Sequence, residues 1–146
     1  DTLQAAILRV KLRSLDRWIE ARRRNGRLYS DLLAGSSLSI PVEHPDSTHV
    51  YHLYVIRTPQ RDKLRSYLWD HGIGTGIHYP IPIHVQPFYK DDGFHLGQFP
   101  VTEQTCDEIL SLPMYPEMTS DQVQYVVDTV KQFEQLAVAD SVPTGD

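Results

Sequence analysis

The sequence predicts a small α+β domain in which a long N-terminal helix precedes a mainly antiparallel sheet covered by helices on one face. Apolar residues recur with the 3.6-residue period of a helix over residues 2–34. Residues 50–57 (VYHLYVIR) are β-branched, aromatic and alternating, as a half-buried strand requires. The predicted strands are few and short and alternate with helices, which favours helices packed on one face of a small sheet. We expect the other face to remain open to the rest of a larger protein.

The N-terminal helix is predicted over residues 2–34. Asp1 or Thr2 can cap its first turn, and Gly35 is a typical C-terminal stop. The weakest point lies in RRRNGR (residues 22–27), so we expect any bend at Asn25–Gly26.

The middle of the chain is predicted to form strand, helix and strand. Residues 36–49 indicate a loop or edge strand, and 50–57 are the clearest strand. Pro59 suits the first turn of a second helix that ends near His71–Gly72. Residues 74–79 (GTGIHY) are predicted to form a second strand, bounded by the prolines that follow.

The last third is predicted to form helix, strand and helix. After a loop over 90–100, residues 102–110 form a short helix in which Thr105 and Glu108 have capping-box spacing. Residues 110–116 (LSLPMYP) form a third, short strand. Thr119 or Ser120 then caps a final apolar helix, which is followed by a disordered tail over 137–146.

Composition excludes several classes of protein. A chain of 146 residues is one domain by size, and its net charge of −5 argues against a nucleic-acid binder. The single cysteine, Cys106, rules out an internal disulfide and fits a reducing cytoplasm, so we expect a cytoplasmic protein. No run approaches the roughly 18 apolar residues of a membrane span. The chain begins without Met and already within a helical pattern, which suggests a piece of a longer protein.

Three candidate sites are weak. The histidines do not follow a zinc-ligand spacing and lack a cysteine pair, so scattered polar histidines are favoured over a metal site. Cys106 lies inside a helix without a glycine-rich elbow, which favours a buried, inert thiol over a nucleophile. The basic run at 22–27 lacks the breadth and aromatic residues of a nucleic-acid surface and is better explained as a solvated helix face or a contact with the acidic remainder.

The strongest candidate site is the stretch 72–89 (GIGTGIHYPIPIHVQPFY). His78 and Tyr79 stand at the end of a predicted strand that Pro80 and Pro82 stiffen. Such rings can hydrogen-bond to hydroxyl groups and stack on a sugar or a base. The alternative is a proline-rich connection whose rings only pack, and the pattern alone leaves both open.

Several segments carry a resemblance to one enzyme family. They are DTLQAAILRVKLRSLDRW (1–18), RRRNGRLYSDLL (22–33), HVYHLYVIR (49–57), the spaced pattern from Arg61 to Tyr89 that contains TGIHYP, and the segment from FPVTEQ to VVDTV (99–130). Together they resemble the C-terminal part of the DegT/StrS sugar-nucleotide aminotransferases, which are fold-type I enzymes that depend on pyridoxal 5′-phosphate (PLP). The resemblance covers nearly the whole chain, and its motifs are specific in order and spacing.

The resemblance implies a division of labour within a longer parent protein. Residues 1–35 would link a large PLP domain to a small C-terminal domain, residues 36–136. PLP chemistry needs a Schiff-base lysine and a phosphate cradle. None of the lysines here (Lys11, Lys63, Lys90, Lys131) has the family's lysine context, and a glycine-rich phosphate loop is lacking. We therefore expect no catalytic residue and no PLP bound to this chain alone, with PLP held by the parent's large domain.

The resemblance also implies the substrate residues and partners. His78 and Tyr79 would abut the hexose of a nucleotide-linked keto sugar, and His84 and Gln86 would shape the same loop. HYPIPIH resembles the 3-keto-sugar aminotransferases more than the 4-keto ones. Glutamate would be the amino donor, and a homodimer is expected. The alternative function is a non-catalytic binding module that uses the face left exposed.

Overall fold

The structure, a computed structural model, describes residues 1–140 and confirms the predicted α+β class. Its helices and strands follow in the order α1 (Thr2–Leu12), α2 (Leu15–Leu33), β1 (Tyr54–Arg57), α3 (Arg61–Asp70), α4 (Pro100–Glu108), β2 (Ile109–Leu112) and α5 (Ser120–Asp140). Two short 3₁₀ helices, Ile83–Val85 and Pro87–Asp92, lie between α3 and α4. Within residues 1–140, none of the helices combines the length and apolar character that crossing a membrane requires.

The single long N-terminal helix is wrong as predicted, because the chain breaks between Leu12 and Leu15 rather than at Asn25–Gly26. At the break, the amides of Arg13 and Ser14 donate to carbonyls three residues back, Val10 O at 3.3 Å and Lys11 O at 2.9 Å. Asn25 and Gly26 instead lie buried inside a continuous α2. The Asn25 side chain donates to Tyr115 O at 3.2 Å, so a tertiary contact holds the segment that local propensity would bend.

Helix α1 makes no buried contact with the rest of the described chain. Of the two predicted caps, Asp1 and Thr2, the structure has Asp1, whose Oδ1 accepts a hydrogen bond from the Leu3 amide at 3.2 Å. None of the residues of α1 is buried, and its apolar side chains, among them Leu3, Ile7 and Val10, are more than half exposed. Helix α1 thus forms by local propensity and capping, without a packed face.

The sheet consists of β1 and β2 in antiparallel register, with Tyr54 opposite Leu112 and Arg57 opposite Ile109. It is extended by single bridges, Ser39 to Arg57 on one side and Gly76 to Ser111 on the other. The predicted strand over 74–79 was therefore wrong beyond this one bridge. Pro80 and Pro82 follow within a few residues and lack the amide hydrogens that a longer ladder needs.

Strand β1 begins four residues later than predicted because of Tyr51. Tyr51 has a left-handed backbone conformation (φ 48°), which interrupts extended chain. Its ring is 4% exposed and packs against the core instead. The strand proper therefore starts at Tyr54.

The core lies between the sheet and helices α2, α3 and α5. Its fully buried members include Tyr29, Leu33, Tyr54, Ile56, Leu64, Leu68, Leu110, Val123, Val127 and Val130. Burying each such aliphatic side chain contributes about 1.5–3 kcal/mol. This core holds β2 rigidly, and β2 carries the residue that positions the candidate site.

Two helix starts show how capping operates here. Thr119 and Gln122 form a reciprocal capping box at the start of α5, with Thr119 Oγ1 accepting from the Gln122 amide at 3.2 Å and Gln122 Oε1 accepting from the Thr119 amide at 3.0 Å. The capping role predicted for Thr105 was wrong. Thr105 lies within α4 and donates to Val101 O at 2.7 Å, because α4 already begins at Pro100.

The disordered tail predicted over residues 137–146 overlaps the end of helix α5. Helix α5 continues to Asp140, so the tail predicted from residue 137 is helical over its first four residues. The remainder of that prediction, residues 141–146, lies outside the described residues.

Candidate functional site

The His78 ring is held from two sides by a bridged pair of residues. Its Nδ1 lies 2.9 Å from Ser111 Oγ. A Cβ added at Gly76 would stand 2.6 Å from His78 Cε1, so the ring occupies the space that a side chain at Gly76 would need. Gly76 and Ser111 exchange two backbone hydrogen bonds, at 2.7 and 3.1 Å. The ring is thus anchored to β2 although His78 itself lies in a loop.

Tyr79 stands beside His78 and is largely in solvent. Its side chain is 72% exposed, and the two rings meet edge to face with centroids 5.7 Å apart. The peptide bond between them is cis. The pair therefore presents an imidazole and a phenol together on the outside of the sheet, where both can hydrogen-bond to a ligand.

His84 belongs to a separate, mostly buried cluster. Its Nε2 lies 2.9 Å from Glu103 Oε1, and the two side chains are 9% and 15% exposed. The His84 ring also meets Phe99 edge to face, with centroids 4.7 Å apart. Beside them lies a shallow depression of about 370 Å³, lined by Ile83, His84, Tyr89, Phe94, Phe99 and Thr102.

Glu103 ties this cluster to the loop before α4. Its carboxylate accepts hydrogen bonds from the amides of Gly97, at 2.8 and 2.9 Å, and Phe99, at 3.2 Å. Burial by itself would raise the pKa of Glu103. The two backbone amides and His84 outweigh it together, and the pKa of this carboxyl is lowered from its ordinary value. The cluster is therefore a charged, hydrogen-bonded anchor for residues 97–103.

Gln86 links the two 3₁₀ helices and has an exposed side chain. Its backbone amide donates to Ile83 O at 3.1 Å, and its carbonyl accepts from the Tyr89 amide at 2.9 Å. Of the four substrate residues predicted, His78 and Tyr79 therefore lie together and open to solvent. His84 is engaged internally, and Gln86 lies on the connecting backbone.

Sequence reasoning missed the residues that hold these rings. Ser111 was assigned only to a strand, and it lies 33 residues from its partner His78. Glu103 was assigned only to a helix. Pro100 was an available signal for that helix, because proline favours the first helical position and would have placed Glu103 in the first turn.

The weaker candidate sites do not gain support. Within residues 1–140, no group of three or more His, Cys, Asp or Glu side chains is placed to hold a metal ion. Cys106 is half-buried, and desolvation raises the pKa of its thiol, so little thiolate forms at neutral pH. In the basic run, Arg22 Nη1 donates to three backbone carbonyls, which gives at least one of these arginines a structural role.

The described residues do not fit PLP. Lys11 and Lys63 lie exposed on α1 and α3, and Lys131 lies on α5. Lys11, Lys63 and Lys131 do not line any of four surface depressions in the described part of the chain. A lysine amine beside a phosphate cradle is what PLP requires. The arrangement can instead orient a polar, hydroxyl-bearing molecule through His78 and Tyr79.

A family model described as the DegT/DnrJ/EryC1/StrS aminotransferase family matches residues 1–131. Among curated proteins, the chain is 44% identical over 136 residues to a pleiotropic regulatory protein of Geobacillus stearothermophilus, covering 91% of this chain and 37% of the relative. It is 38% identical over 136 residues to the dTDP-3-amino-3,4,6-trideoxy-alpha-D-glucose transaminase of Streptomyces venezuelae, covering 92% of this chain and 36% of the relative. The chain thus spans little more than a third of the length of these relatives.

Solved structures share the fold. The crystal structure of S. venezuelae DesV in complex with a ketimine intermediate superposes with a TM-score of 0.87 at 38% identity, covering 90% of this chain and 36% of that one. A DegT/DnrJ/EryC1/StrS aminotransferase from Brucella abortus superposes with a TM-score of 0.83 at 32% identity, covering 92% and 36%.

Proposed function

The chain belongs to the DegT/DnrJ/EryC1/StrS aminotransferase family, and on that premise we propose that it supplies the sugar-facing wall of a PLP-dependent enzyme that aminates a nucleotide-linked keto sugar. The observation that carries the proposal is the exposed His78–Tyr79 pair, whose first ring is fixed to β2 through Ser111. Fixed polar rings that are open to solvent suit a ligand rich in hydroxyl groups.

This chain binds and orients the sugar, and the amino-group transfer itself depends on the cofactor. PLP, held by residues outside this chain, would supply the transfer chemistry. His78 and Tyr79 hydrogen-bond to oxygens of the hexose and fix its orientation, and orientation alone lowers a reaction barrier. His84 contributes through Glu103, which holds the loop over 97–103 in place. Gln86 lies between the two 3₁₀ helices and shapes the same loop as His84.

We extend the proposal to a sugar with its keto group at position 3. The names of several relatives support it, since the proteins of Streptomyces venezuelae and Aneurinibacillus thermoaerophilus are named as transaminases of dTDP-3-amino sugars. The motif HYPIPIH at residues 78–84 supports it as well. Glutamate as amino donor, a homodimer as the working form and a cytoplasmic location complete the proposal.

The 146-residue chain by itself should neither bind PLP stably nor transaminate, because its lysines lack the family's lysine context and its sequence lacks a glycine-rich phosphate loop. The test is to mix the chain with PLP, remove excess cofactor and record the visible spectrum before and after adding glutamate. A stoichiometric band that responds to glutamate would contradict this part of the proposal.

The substrate role is tested in a full-length protein that carries these residues, by stopped-flow measurement of each half-reaction. Tyr79→Phe and His78→Ala should slow the sugar half-reaction by roughly one to two powers of ten, since a lost hydrogen bond costs about 0.5–1.5 kcal/mol, and up to about 3 when a buried partner is left unpaired. The glutamate half-reaction should stay nearly unchanged. His44→Ala, in an exposed loop, is the matched control. Loss of the glutamate half-reaction with a normal sugar half-reaction would place these residues in a different site.

A further inference from the structure

Ser111 has a buried hydroxyl group whose hydrogen-bond partner is His78. Ser111 is 4% exposed, and its Oγ lies 2.9 Å from His78 Nδ1. Its backbone amide and carbonyl are already paired with Gly76. The hydroxyl takes no part in the backbone hydrogen bonds of the sheet, and its position on β2 places it beside the imidazole.

We infer that Ser111 is a positioning residue that holds His78 in the tautomer with the proton on Nε2, so that the ring offers a hydrogen-bond donor to an oxygen of the sugar. The inference rests on the proposed function for its ligand. The tautomer is a property of the chain itself and can be measured without any ligand.

The direction of the hydrogen bond follows from what each group can do. A serine hydroxyl has one proton to donate, and a neutral imidazole has one donor and one acceptor nitrogen. Within residues 1–140, the hydroxyl has no acceptor other than His78 Nδ1. If Nδ1 carried the proton, the hydroxyl proton would be buried without a partner, which is costly. The hydroxyl therefore donates to Nδ1, and the imidazole proton is on Nε2.

Gly76 fixes where that proton points. The His78 ring edge at Cε1 lies over Gly76, in the space that a Cβ would fill. With Nδ1 on Ser111 and Cε1 over Gly76, the ring has little freedom to turn. Nε2 makes no hydrogen bond to the residues that the structure describes, so its proton remains available to a ligand. A neutral donor of this kind suits a carbonyl or hydroxyl oxygen of a sugar.

The first arm of the test is ¹⁵N NMR of the histidine rings in the 146-residue chain at a pH where His78 is neutral. The wild-type ring should show the proton on Nε2, with Nδ1 unprotonated. In Ser111→Ala, the His78 signals should move toward the tautomer mixture of His52, an exposed histidine that serves as an internal reference. Ser39→Ala, the same change at the other bridge of the sheet, should leave His78 unaltered. A wild-type ring protonated on Nδ1, or signals that Ser111→Ala leaves unmoved, would overturn the inference.

The second arm compares half-reactions in a full-length protein that carries these residues. Ser111→Ala should slow the sugar half-reaction roughly three- to tenfold, less than His78→Ala, and should spare the glutamate half-reaction. If His78→Ala slows the sugar half-reaction and Ser111→Ala does not, the positioning role fails while the proposed function stands. If neither variant slows the sugar half-reaction although the tautomer is as expected, His78 does not contact the sugar, and the proposed function fails at this residue.

Discussion

The ring of Tyr51 lies directly against Gly26 in the middle of helix α2. A Cβ at Gly26 would come within 2.7–2.9 Å of three ring atoms of Tyr51, a separation that real Cβ contacts do not show. Gly26 is therefore required for close approach, although glycine weakens a helix by about 1 kcal/mol relative to alanine. This contact holds the segment that leads into β1 against helix α2.

Gly26→Ala should destabilise the protein by up to about 2 kcal/mol. The clash with a buried ring costs about 1–3 kcal/mol, and the gain in helix propensity offsets about 1 kcal/mol of it. Urea unfolding of the 146-residue chain measures the difference. Gly74→Ala is the control, because nothing lies within 4 Å of the added Cβ. A Gly26→Ala variant as stable as wild type would show that the ring moves aside without cost.

Arg22→Met should cost about 1–3 kcal/mol of stability. A single nitrogen, Nη1, donates to Tyr51 O at 3.2 Å, His52 O at 3.1 Å and Met114 O at 2.9 Å. It carries two hydrogens for three acceptors, so at least one hydrogen is shared, and charged donors give the stronger hydrogen bonds. Methionine keeps the apolar stem and removes the donors. Arg27→Met, at an exposed position of the same basic run, should unfold at the wild-type urea concentration. Equal losses from both variants would indicate a general charge effect instead.

Gly76→Ala should displace the His78 ring and break its hydrogen bond to the buried Ser111 hydroxyl, which costs about 1–3 kcal/mol of stability. The added Cβ would meet the end of a side chain, 2.6 Å from Cε1, and that ring can swing toward solvent. In a full-length protein that carries these residues, we expect the sugar half-reaction to slow about tenfold while the glutamate half-reaction stays nearly unchanged. Gly74→Ala, two residues earlier and in open space, is again the control. An unchanged sugar half-reaction would argue that the position of the His78 ring does not matter.

The free energy of unfolding should depend on pH through the Glu103 carboxyl. Burial opposes ionisation, but the amides of Gly97 and Phe99 together with His84 lower the pKa of this carboxyl in the folded state. A lowered folded-state pKa means that the carboxylate stabilises the fold fully above its unfolded-state pKa of about 4.3. That contribution is lost as the pH falls through the folded-state pKa.

The corresponding measurement is urea unfolding of wild type and Glu103→Gln between neutral pH and about pH 3. Wild type should lose more stability on acidification than the variant, and the two curves should converge at low pH. Glu117→Gln, at an exposed position, should keep the acid dependence of wild type. Parallel curves for wild type and Glu103→Gln would contradict the assigned role of this carboxylate.

The sequence by itself determined the features that depend on neighbouring residues. The apolar period predicted helix over the residues of α2 and α5, although not the break before Leu15. One of the two candidate caps at each start, Asp1 and Thr119, is the cap in the structure, and α3 ends near His71–Gly72 as expected. Each of these depends on groups within a few positions along the chain, where propensity, capping and turn chemistry act. The order and spacing of motifs over nearly the whole chain, with TGIHYP among them, indicated the family.

Only the tertiary structure decided what distant residues do to one another. Asn25 and Gly26 remain helical because Tyr115 and Tyr51 pack or bond there, and local propensity at Asn-Gly does not contain that information. His78 is fixed by Ser111, 33 residues away, and His84 by Glu103, 19 residues away. Such pairs form because the buried sheet and helices bring separate segments together, and a buried polar group then takes whichever partner the packing supplies.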